Sequence, residues 1–106
     1  MFINYQPDEL FAFFETEPVY IGDEAAEEML YVYEDNGFKL TVLIAVYEKS
    51  IDIGISYGEY TVLRQKFQNV SEISRNSMND LIISTDHHAE IHLKKEKQIG
   101  VVVMNI

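Results

Sequence analysis

The 106 residues contain no cysteine. That single absence removes disulfides, thiolate metal sites and cysteine nucleophiles, and it disfavours a small secreted scaffold. The five glycines, at positions 22, 37, 54, 58 and 100, stand apart from one another. Neither a phosphate-cradling loop nor a dinucleotide fingerprint can be built from them. Apolar runs fall far short of the roughly 20 residues of a membrane helix, and the opening MFINYQPDELF lacks the basic and apolar regions of a signal peptide. A cytoplasmic chain with no membrane association is the expectation. Ser71, Ser74 and Ser77 lie in a polar stretch without the context of a nucleophile elbow. Nothing singles out one carboxylate pair for acid–base work, so no enzyme and no cofactor are expected.

Bases are scarce, and their distribution is uneven. Residues 1–36 hold ten carboxylates (Asp8, Glu9, Glu15, Glu17, Asp23, Glu24, Glu27, Glu28, Glu34, Asp35) and no Lys or Arg, whereas residues 37–106 hold eight acids and eight bases. The whole net charge of −10 therefore belongs to the first third of the chain. Such a charge argues against direct nucleic-acid binding, which needs clustered cations to displace counterions.

The length fits one domain, 1–106, with one core. In PDELFAFFE, Pro7 and two acids suit the first turn of a helix, and Leu10, Phe11, Phe13 and Phe14 are expected to share one broad apolar face. Asn36-Gly37 between two apolar runs predicts a hairpin with strands at about 28–35 and 38–47. Ile51, Ile53, Ile55 and Tyr57 alternate with small or polar residues, the signature of a half-buried strand. YTVLRQKF, LIIS, AEIHLKK and IGVVVMNI read as further strands, and QNVSEISRNSMND as a loop with at most one short strand or helical turn. The expected fold is α+β: a short N-terminal helix packed on a curled antiparallel β-meander of six or seven strands. The two-sided apolar character of residues 39–47 calls for closure towards a barrel or for a homodimer surface.

All three histidines fall within STDHHAEIHLKK. On a strand, Ala89, Ile91 and Leu93 point inward, while His88, Glu90, His92 and Lys94 form an outer row. A polar row beside an apolar one is ordinary for a half-exposed strand. The spacing also differs from the helical His-Glu-x-x-His of zinc proteases, so no metal site is assigned. Phe38, Tyr47, Tyr57, Tyr60 and Phe67 lie on predicted strands and are read as core. Tyr20, Tyr31 and Tyr33 instead interleave with Asp23, Glu24, Glu27, Glu28 and Glu34, which describes an acidic surface carrying aromatic anchors.

A small, cysteine-free, acidic domain with an N-terminal helix, an antiparallel meander and its charge on one segment resembles the immunity proteins that bacteria keep beside nuclease-type toxins. The resemblance implies inhibition by occlusion, with carboxylates standing in for nucleic-acid phosphates against a basic toxin. The residues it points to are Asp23, Glu24, Glu27, Glu28, Glu34 and Asp35, with Tyr31 and Tyr33 as anchors. A phage-type DNA mimic that captures a nucleic-acid-binding protein uses the same physics. A small-ligand binder with a cavity inside the curled sheet is the alternative from a different class.

Overall fold

The computed structural model describes residues 2–22, 27–95 and 99–105. It contains helix α1 (Pro7–Phe14) and nine strands: β1 (Val19–Tyr20), β2 (Glu28–Asp35), β3 (Phe38–Ala45), β4 (Ser50–Tyr57), β5 (Tyr60–Phe67), β6 (Val70–Arg75), β7 (Leu81–Thr85), β8 (Ala89–Lys94) and β9 (Gly100–Asn105). Strands β1 to β5 form one antiparallel sheet in chain order, and β6 to β9 form a second. The α+β class is as expected; the single meander is not. Two sheets share one buried cluster, with Ile51, Ile53, Ile83, Ile91 and Phe13 all fully enclosed. No helix among the described residues is long and apolar enough to cross a membrane.

The break between the sheets explains what the sequence pattern concealed. Val70 and Ile73 both point into the core although they stand three apart, because the β6–β7 register shifts between Val70 and Glu72. A bulge inserts one residue and so destroys the period-two alternation by which a strand is read. β1, only two residues long, pairs with Met29 and Leu30 and carries too little pattern to be detected. The hairpin at Asn36-Gly37 is as expected, with φ of 50° and 84° at the two turn residues. A side chain at Gly37 would also meet the Tyr57 ring at 3.0 Å.

Helix α1 begins with Pro7 and carries Asp8 and Glu9 in its first turn, where acids face unpaired backbone N–H groups. It ends when Glu15 turns left-handed at φ 61°. Leu10, Phe13 and Phe14 are buried, but Phe11 remains 50% exposed. At about 100° per residue the four side chains spread over roughly 160° of the helix, wider than its contact with the sheets, so Phe11 falls outside. Phe14 stacks on Tyr31 of β2, with ring centroids 4.5 Å apart and planes at 16°. The helix's last turn is closed by Lys95, whose buried Nζ donates to the Phe13 carbonyl and to Glu15 Oε2 at 2.6 Å. The same ammonium lies 4.8 Å from the centre of the Tyr33 ring, so its charge is compensated on several sides.

A second buried charge organises the β6–β7 turn. The Asn76 side-chain oxygen accepts from the backbone N–H groups of Met78 and Asp80, and the buried Asp80 carboxylate accepts from Lys94 Nζ at 2.8 Å. The Lys94 hydrogen bond, more than any other influence, holds the Asp80 carboxyl below its ordinary value of 3.8. A carboxyl depressed by folding stabilises the native state above its unfolded pKa and loses that contribution as pH falls through the folded one. Asp80→Asn is therefore expected to lower the melting temperature at neutral pH and to shallow its decline below about pH 4. Melting curves for both proteins across the acid range check this; parallel curves would remove Asp80 from the acid response.

Candidate partner-binding face

The acids and tyrosines nominated from the sequence are not brought together. Asp23 and Glu24 lie outside the described residues. Alternation along β2 divides the rest: Glu28 and Glu34 are cross-strand neighbours of Ala45 and Lys39 on the outer face, whereas Tyr31, Tyr33 and Asp35 share the inner side with Met29. Tyr31 is 3% exposed beneath Phe14, which corrects its reading as a surface anchor. Tyr33 is half-buried, packed against the core with Lys95 over its ring. Burial raises the hydroxyl pKa of both tyrosines. Two aromatics on the inner side of a central strand pack before they bind.

Apart from Phe11 on the helix and Tyr20 on β1, the exposed aromatics among the described residues stand at the two ends of the five-stranded sheet, separated along β2 by about 23 Å at 3.3 Å per residue. At one end the β2–β3 and β4–β5 turns touch, Gly58 N–H donating to the Gly37 carbonyl. Tyr57 and Tyr60, 50% and 77% exposed, lie there with Glu34, Asp35 and Glu59. Phe38 leans on Tyr57 with centroids 4.7 Å apart. At the other end Val46 accepts from Ile3 N–H and donates to the Glu27 carbonyl, so three chain segments meet at one buried residue. Phe2 and Tyr47 stand edge to face there at 6.3 Å. Reading Tyr47, Tyr57 and Tyr60 as core is thereby corrected. Each flanks a turn, where a strand overhangs the core, and that adjacency to EKS and GE was the available signal.

Tyr5 joins the second end, its hydroxyl donating to Glu27 Oε2 at 3.3 Å. Burial, and then the Glu27 carboxylate, push the Tyr5 hydroxyl up to about 12. Glu27 itself holds a left-handed backbone, φ 48°, a costly conformation for a residue with a side chain. Between the two ends, the outer face of the sheet carries a hollow of about 310 Å³ floored by Gly54 and bordered by Leu43, Asp52 and Arg64. The hollow lies on the outside of the sheet rather than within a closed barrel.

The histidine row is shorter than expected. His88 adopts φ 62° in the turn before β8, so the strand face keeps Glu90, His92 and Lys94, with Glu90 and His92 joined at 3.1 Å. Among the described residues no group of three or more His, Asp or Glu side chains converges on a metal position. Stoichiometric zinc is expected to leave the melting temperature unchanged; a rise of several degrees in a thermal scan would contradict this.

In class, the chain is a small α+β domain in which one helix covers two antiparallel sheets and acidic, aromatic ends remain exposed. A solved structure has the same fold: a chain of the contact-dependent growth inhibition toxin–immunity protein complex from Klebsiella pneumoniae 342 superposes with a TM-score of 0.82 at 21% identity, covering 98% of each chain. The resemblance read from size, charge and strand pattern is thus met, at the level of the fold, by a structure of that kind. No protein-family model matches the chain, and no curated protein matches it.

Proposed function

We propose that this chain is a non-enzymatic immunity protein that binds a basic growth-inhibition toxin in the cytoplasm and blocks its action. The observation that carries the reading is the full-length fold likeness to a chain of a toxin–immunity complex. Charge supports the immunity side: a toxin that acts on nucleic acid must approach phosphates, whereas this chain carries −10 and concentrates its acids in residues 1–36. The proposed contact surface comprises Glu27, Glu28, Glu34 and Asp35, with Glu59, Tyr57 and Tyr60 at one end of the sheet and Phe2 and Tyr47 at the other. Asp23 and Glu24 belong to the same acidic segment and are included by charge alone. Tyr31 and Tyr33 act from beneath, by holding β2 against the helix.

The test is co-expression in bacteria with a growth-inhibition toxin drawn from the genes that neighbour this chain's own. Restored growth and a purified one-to-one complex are expected. Continued growth arrest despite soluble expression of both proteins would refute the immunity role.

A further inference from the structure

We propose that the hollow enclosed by Phe2, Tyr5, Pro7, Glu27 and Tyr47 is a receptor for one arginine side chain of the protein partner. The inference deepens, and rests on, the reading of this chain as the binder of a basic protein. The hollow measures about 350 Å³ and is lined by three aromatic rings and one carboxylate, with Ile3, Asn4 and Pro7 completing the wall. A guanidinium is attracted to the negative faces of aromatic rings and pairs with a carboxylate in the same plane, so this lining is complementary to arginine on two counts.

Backbone hydrogen bonds hold the walls in position. Phe2 and Tyr47 are 59% and 56% exposed, yet their backbones are fixed by the Ile3–Val46 hydrogen bond of 3.0 Å. Glu27 is held by its 3.2 Å bond to Val46 and by Tyr5. A guanidinium therefore meets walls that are already in place, which reduces the ordering cost of binding. Among the described residues that line it, none is basic. The nearest base in sequence to Tyr47 is Lys49, and its ammonium is engaged by Asp86 at 2.6 Å.

The experiment uses the full chain alone, titrated with N-acetyl-arginine methylamide and, separately, with the neutral citrulline analogue, while the aromatic ring resonances are followed by NMR. Arginine is expected to shift the Phe2 and Tyr47 rings with millimolar affinity, and citrulline to bind at least fivefold more weakly. Glu27→Gln, which retains an oxygen acceptor for Tyr5, is expected to weaken arginine binding at least fivefold. Equal responses to arginine and citrulline, or shifts confined to Tyr57 and Tyr60, would overturn the proposal. Because the free chain is the sample, these outcomes are independent of growth rescue. A silent hollow in a protective chain removes the arginine receptor and leaves the immunity role, whereas a responsive hollow in a non-protective chain does the reverse.

Discussion

Phe14→Ala is expected to be the most damaging single truncation in the helix, costing about 3–5 kcal/mol. The side chain is 1% exposed and lies flat against Tyr31, while its edge meets Phe13 at 5.0 Å between centroids. Truncation removes both aromatic contacts and leaves a cavity between the helix and β2, which neither element can close because each is fixed at both ends. For a domain of this size the loss corresponds to a fall in melting temperature of roughly 15 °C or more. Phe11→Ala, three residues earlier, removes a ring that is half exposed and is expected to change stability by less than about 0.5 kcal/mol. Chemical denaturation of the two variants provides the check. Similar losses would mean that Phe11 is covered in solution, and a mild Phe14 variant would mean that the helix is not docked as described.

The second large effect is kinetic. Replacing Glu28, Glu34 and Glu59 by Gln and Asp35 by Asn removes four negative charges from one end and the outer face of the sheet, without touching the Glu27 hollow. Association with the toxic domain is expected to slow by about 10- to 100-fold at low ionic strength, with a much smaller change in dissociation. The difference should contract as salt shortens the screening length to a few ångströms. Stopped-flow association across a salt series measures both quantities. A variant that associates as fast as the parent at every salt concentration would exclude electrostatic capture by this surface.

How far these features were legible depended on whether a single segment contained the information. The Asn36-Gly37 hairpin and the inward row of Ile51, Ile53 and Ile55 are local patterns, and the structure has both. β6 was obscured because its bulge shifts the inward set from period two to period three. The acidic segment was visible as composition, yet composition does not say which of two faces a residue takes. Once β2 becomes the second strand of a five-stranded sheet, its odd positions must pack, and Tyr31 is lost to the surface. The hollow at Phe2, Tyr5, Glu27 and Tyr47 could not be read at all, since it joins three segments that lie far apart in the chain and meet around Val46.

The lysine that closes helix α1 also orders events in time. Its partners, the Phe13 carbonyl and the Glu15 carboxylate, precede it by 82 and 80 residues, so a ribosome delivers the helix long before it delivers the group that completes it. Until then the last helical turn lacks its ammonium and the inner side of β2 lacks the cover over Tyr33. A chain cut short before Lys95 would hold most of these strands and an unfinished first helix. On the proposed function, a chain that has not yet acquired Lys95 is expected to protect less well than one that has.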